Sequence, residues 1–274
     1  MSSLPPEEQL CDDCFKGVKL EGTPKGSESK IGPFNTYVAK PEQNKNEKAA
    51  IVYFYDAFGL RLQNNKLIPD MIAEKTGLTV YVPDLFNGGG IAPDALKMPE
   101  TAQAAKAQGT LSKIASTGKL MSAFIPFVMK HRPAVHFPAA AEFLKVLKIE
   151  KGHEKLGAVG YCYGGKFSVH FNGTGDLTAS VACHPSMLNI DDIKAIQKPI
   201  SFACAESDAQ FGDQLRTEAE KTLKAKSGLE AEFVLYANTV HGFAARPNLE
   251  IDDVRKGFEG ALAQTCRFLS KHLV

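Results

Sequence analysis

Leu156-Gly157-Ala158-Val159-Gly160-Tyr161-Cys162-Tyr163-Gly164-Gly165-Lys166 decides the reading of this chain. The apolar run Leu156 to Val159 suits a strand, and Lys166 to Phe171 has helical character. A strand that turns sharply into a helix forces its middle residue into a strained backbone. A Cβ two positions before or after that residue would clash, which is why glycines are needed there. This is the pattern of a nucleophile elbow, with Cys in the place that Ser more commonly fills. The turn lifts the sulfur above the sheet and aims helix N-terminal amides at it. Such amides favour thiolate and can hold an oxyanion. Gly-rich strand-to-helix turns also cradle phosphates, and a Cys in one can be plain core. Here neither a Walker pattern nor a spaced triple-glycine fingerprint fits, because Cys162 and Tyr163 occupy the positions that would touch phosphate.

Outward from the elbow, short apolar runs alternate with helical segments. Strands are read at Ile31 to Ala39, Ala49 to Tyr55, Leu78 to Val82, Thr178 to Ala182, Ile200 to Ala205 and Glu232 to Tyr236. Helices are read at Leu67 to Lys75, closed by Gly77, and at Pro138 to Leu147. Another carries Leu215, Ala219 and Leu223 on one face, with Gly228 as its stop. The last is capped by Asp252 and places Val254, Phe258, Leu262, Thr265 and Leu269 at helical spacing. Residues 85 to 133 are less regular, with helical pieces near Ala102 to Ala107 and Lys119 to Lys130, suited to a wall or lid over a site. The alternation implies an α/β fold: a mostly parallel central sheet with helices on both faces. Residues 1–30 read as an irregular N-terminal arm and 31–274 as a single α/β domain.

Bulk properties remove several classes. The 274 residues are 44% hydrophobic and 23% charged, enough for one domain with a sizeable core. A formal net charge of +1 offers no basic field, so no nucleic-acid partner is expected. No stretch has the length of a membrane span, and no secretory h-region or peroxisomal C-terminus is visible, so a cytoplasmic location is expected. The six cysteines then read as reduced thiols. Cys11 and Cys14 have half-zinc-site spacing but no second pair, and read as a partly exposed pair. Cys183, Cys204 and Cys266 read as packing. No metal or organic cofactor is expected, and the partner class is a small molecule acting on a monomer or homodimer.

Functional groups of open α/β sheets gather beyond the carboxyl ends of strands. There stand Glu206-Ser207-Asp208 and, further on, Asn238-Thr239-Val240-His241-Gly242-Phe243. Nucleophile, acid and histidine follow one another with room for a helix and a strand between each. His241 would take the thiol proton, and Asp208 would fix the imidazole tautomer. Glu206 is an equally near carboxylate. His184, directly after a strand, is the rival histidine.

Together, GYCYGG, CAESDAQFGD, NTVHGFAARP and the upstream YFYDAFGL resemble the dienelactone hydrolase family, fungal members in particular, from about residue 22 to the end. The resemblance implies an α/β-hydrolase fold and a triad of Cys162, His241 and Asp208, with an oxyanion hole from the amides of Ala57 and Tyr163. Two departures from bacterial members stand out. Their Glu, thought to switch the cysteine between thiol and thiolate, corresponds here to Asp56, one methylene shorter. Of their two carboxylate-clamping arginines, one place holds Asn87-Gly88-Gly89, and Arg246 lies one residue beyond the other. The expected chemistry is hydrolysis of a small ester, lactone or thioester through a thioester. The alternatives are a glyoxalase-, deglycase- or amidotransferase-like cysteine enzyme and a non-catalytic thiol sensor.

Overall fold

The computed structural model describes residues 20–92, 99–107, 122 and 124–274. Cys11 and Cys14, most of the N-terminal arm and the start of the helix expected from Lys119 lie outside the described residues. Among the described residues, eight strands form one sheet in the order β1-β2-β4-β3-β5-β6-β7-β8. They are Ser27–Ile31, Phe34–Ala39, Ala49–Phe54, Thr79–Pro83, Lys155–Tyr161, Ala179–Cys183, Ile200–Ser207 and Ala231–Val240. Pairings from β4 through β8 are parallel, and β1–β2 and β2–β4 are antiparallel. The sheet is therefore mostly parallel, and this is the α/β-hydrolase fold.

The middle strands explain themselves. Every residue of β3 and β4 is buried, as is β5 beyond Lys155, which is what a run of Ala, Ile, Val and Tyr requires when helices cover both faces. On one face lie α1 (Asn64–Thr76) and the long C-terminal helix. On the other lie Pro133–Ile149, the post-elbow helix Tyr163–Gly173 and Asp213–Lys224. Gly77, at φ 70°, ends α1 in the left-handed conformation that glycine adopts without strain.

The structure differs from the sequence reading at particular places. The strand read as Ile31 to Ala39 is broken by a two-residue turn, Gly32-Pro33, with Gly32 at φ 53°. Ser27–Ile31 then pairs back as an edge strand, inside the stretch read as irregular. The last helix begins at Asp252 rather than being capped by it. Ile251 is the cap, and the Asp252 carboxylate goes to Arg255 and Lys256 within the first turns. The helix read as stopping at Gly228 ends at Lys224, and Gly228 lies in the following turn. A short helix, Ile190–Ala195, stands where the sequence pattern marks none; Asn189 caps it in a box with Asp192.

Candidate active site

Beyond the carboxyl ends of the sheet, five strands deliver one chemistry-bearing residue each: Asp56 after β3, Cys162 after β5, His184 after β6, Asp208 after β7 and His241 after β8. Cys162 sits between β5 and its helix at φ 52°, ψ −114°, a conformation that side-chain-bearing residues avoid at a cost of about 1–3 kcal/mol. The flanking glycines make the bend possible. A Cβ on Gly160 would lie 2.1 Å from the Gly164 carbonyl oxygen, and one on Gly164 would lie 1.9 Å from that of Phe54. Substituting either would open the bend. Cys162 N donates to Cys183 O at 3.1 Å, tying the elbow to the neighbouring strand.

His241 follows the last residue of β8, and its Nδ1 lies 3.0 and 2.9 Å from the two carboxylate oxygens of Asp208. A register shift between Ala205 and Ser207 re-aims the end of β7 just before Asp208. The Asp208 Oδ1 also accepts from Gln210 N at 2.8 Å and Phe211 N at 3.3 Å. With Nδ1 given to the carboxylate, Nε2 is left for the sulfur. Burial opposes ionisation of the Cys162 thiol. The charge of the nearby His241 is the main influence that offsets burial, and the thiol is held below its ordinary value. Burial likewise opposes a charged His241, but Asp208 and Cys162 together raise it above the ordinary imidazole range. Burial would raise Asp208 too; the imidazole and the Gln210 amide bring it below the usual carboxylate value. All three directions favour thiolate, imidazolium and carboxylate in a row.

The two rivals have other surroundings. Glu206 is ion-paired with Lys106 at 2.8 Å and accepts from Asn238 N at 2.9 Å. His184 is fully buried, and neither ring nitrogen has a hydrogen-bond partner among the described residues. Its ring packs against those of His241 and Phe243, centroids 5.0 and 5.6 Å away. Burial drives it well below the usual imidazole value, so it sits there as a neutral ring.

Tyr163 is the first residue of its helix, so its amide has no intrahelical acceptor. Around Ala57, the Phe58 and Gly59 amides are committed to Asp56 Oδ1 and O, and the Ala57 carbonyl accepts from Ile91 N. The Ala57 amide takes no part in that network among the described residues. The backbone beside the elbow is thus arranged to leave two donors unused.

Asp56 is fully buried. Its Oδ1 accepts from Phe58 N at 3.1 Å and Asn65 Nδ2 at 2.9 Å, and its Oδ2 lies 3.4 Å from Arg246 Nε. The guanidinium also lies over the Phe58 ring, 4.5 Å from the centroid. Arg246 therefore faces Asp56, and Asp56 acts on the sulfur through charge. Burial leaves the Asp56 carboxyl above its ordinary value despite Arg246, Asn65 and Phe58. Asn87, Gly88 and Gly89 form the turn where a second clamp would stand, and Phe86 beside them packs on Phe127, His131 and Tyr163. Two contributors escaped the sequence: Asn65, which orients Asp56, and Ser186, whose hydroxyl lies 3.7 Å from the Cys162 sulfur. Neither carries a spacing signal. Among the described residues no His/Cys/Asp/Glu group suits a metal, and no helix is long and apolar enough to cross a membrane.

Residues 34–273 match the model of the dienelactone hydrolase family. Hydrolase pyvD of Aspergillus violaceofuscus is 30% identical over 273 residues, covering 100% of this chain and 99% of that protein. Hydrolase tropI of Talaromyces stipitatus is 28% identical over 274 residues, with 100% and 99% covered. Among solved structures, m3DLH superposes with a TM-score of 0.62 at 16% identity, covering 91% of this chain and 98% of its own. At that identity the likeness speaks to the fold.

Proposed function

The chain belongs to the dienelactone hydrolase family and is a hydrolase, and from that premise we propose that it cleaves a small ester or lactone through a thioester on Cys162. The observation that carries this is the strained elbow cysteine, its thiol held below the ordinary value by His241, an imidazole whose Nδ1 is held by a buried carboxylate. Thiolate Cys162 attacks the carbonyl carbon, and the carbonyl electron pair moves to oxygen. The amides of Ala57 and Tyr163 stabilise that oxyanion. When the oxyanion collapses, the carbon–oxygen bond of the alcohol portion breaks and His241 gives its proton to the leaving alkoxide. Neutral His241 then takes a proton from water, which attacks the thioester. Collapse releases the carboxylic acid and restores the thiolate.

A thiolate is also a good leaving group, so an amide, whose nitrogen leaves poorly, would fall back to substrate. Activated esters, lactones and thioesters are the matching class. With Arg246 turned to Asp56 and no arginine at Asn87-Gly88-Gly89, a paired guanidinium clamp for a substrate carboxylate is not assembled. Neutral acyl groups are therefore favoured over dicarboxylate-like ones. The test is a panel of aryl esters, lactones and thioesters with wild type, Cys162→Ser, Cys162→Ala and His241→Ala. Turnover by wild type with a loss of about a thousandfold or more in each variant supports the reading. Ester turnover untouched by Cys162→Ala removes it.

A further inference from the structure

The turn after β6, His184-Pro185-Ser186, is locked onto the elbow. His184 N donates to Ala203 O at 2.8 Å and Ser186 N donates to Cys162 O at 3.0 Å. Pro185 lies so close that a Cβ on Gly165 would meet it at 2.7 Å. Ser186 is fully buried, and its Oγ lies 3.7 Å from Cys162 Sγ. The sulfur is the one hydrogen-bond partner of that hydroxyl among the described residues. A buried hydroxyl needs a partner, and a thiolate can only accept. With sulfur as thiolate, the serine must therefore be the donor.

We propose that Ser186 is a further group on the reacting sulfur, a hydroxyl that donates to the Cys162 thiolate and sets how acid the solution can become before the nucleophile is quenched. The proposal rests on Cys162 being the nucleophile. The charged and titratable groups acting on the sulfur are His241 from the turn after β8, backed by Asp208, Asp56 from the turn after β3, and Arg246. Neutral His184 packs behind His241. Ser186 differs from all of these in carrying no charge, with its hydroxyl 3.7 Å from the sulfur. Donation to the charged form favours that form. It also draws electron density from the sulfur, so a more acidic thiol is intrinsically a slightly weaker nucleophile. The two consequences have opposite signs on the two sides of the thiol midpoint, and packing alone would not produce that crossover.

The experiment is alkylation of the whole protein by iodoacetamide from about pH 4 to about pH 9, with the modified site mapped to Cys162 and thiolate absorbance read against Cys162→Ala. Ser186→Ala removes the oxygen and keeps the backbone bond to Cys162 O. Below the midpoint its alkylation rate should fall about three- to tenfold, and above the midpoint it should equal or slightly exceed wild type. Ser186→Cys, similar in shape but a weaker donor, should fall between. A rate lowered by one factor at every pH would show a packing role and overturn the proposal, as would a profile matching wild type. Alkylation reads the sulfur with no ester present. A wild type that turns over no ester leaves this test standing, whereas an unchanged alanine profile in an active esterase removes Ser186 alone.

Discussion

Asp208 and Asp56 are both buried beyond the carboxyl ends of strands, and each faces a cation, yet they are driven in opposite directions from the ordinary carboxylate value. Burial costs each of them a water shell. Asp208 replaces it: both oxygens reach the imidazole of His241, and the amides of Gln210 and Phe211 serve Oδ1. Asp56 replaces it on one oxygen only. Its Oδ1 takes Phe58 N and Asn65, but Oδ2 has no hydrogen-bond partner among the described residues and faces Arg246 Nε at 3.4 Å in an ion pair without hydrogen-bond geometry. A buried carboxylate is thus governed less by having a cation nearby than by how many of its lone pairs are met.

The largest effect should come from breaking the satisfied site. Asp208→Asn keeps the shape but offers the ring an amide, which can hold the wrong tautomer and cannot support an imidazolium. On an activated aryl ester, kcat/KM should fall about a thousandfold or more, mostly in kcat. Asp56→Asn should cost about tenfold or less in the same assay, since Asp56 touches the sulfur only through its charge. Equal losses in the two variants would erase the distinction drawn between them.

The sequence exposed one of these carboxylates far better than the other. Cys162, Asp208 and His241 each follow a short apolar strand, and glycines at 160 and 164 have one steric explanation, so strand ends and small residues sufficed. Asp56 also follows a strand, but its environment is built from Arg246, near the far end of the chain, and from Asn65 on a helix face, and no periodicity links those positions. Ser186 was hidden for the same reason: a serine in a turn has many uses, and its nearness to the sulfur comes from the neighbouring strands being parallel and in register. The missed pieces of fold were local. Gly32-Pro33 splits an apolar run whose composition reads as one strand, and the helix from Ile190 is too short for a 3.6-residue pattern to declare itself.

A smaller effect separates the two cations by stability. The folded state raises His241 to about 10. A cationic group whose value is raised on folding contributes stability that is complete below its unfolded value, near about 6.5, and is lost as pH climbs through the folded one. Comparing wild type with His241→Gln by urea unfolding, the gap should be about 2 kcal/mol near pH ~6 and should shrink toward zero by pH ~10. Arg246→Gln, which breaks the Asp56 pair, should show a gap that stays level over the same range. A His241→Gln gap indifferent to pH would mean that the ring contributes packing and not charge.

The smallest effect tests Asp56 and Arg246 against each other at the sulfur. Asp56 raises the Cys162 thiol and Arg246 lowers it, although burial and His241 weigh more than either. Asp56→Asn should therefore move the midpoint of Cys162 alkylation to lower pH, and Arg246→Gln should move it to higher pH. Each displacement should be about threefold in alkylation rate on the acid side of the midpoint. The double variant should return close to wild type, because it removes one charge of each sign from the same place. Two shifts of the same sign would mean that the substitutions disturb the elbow through packing around Phe58 and not through their charges, and the contrast between the two carboxylates would then stop short of the nucleophile.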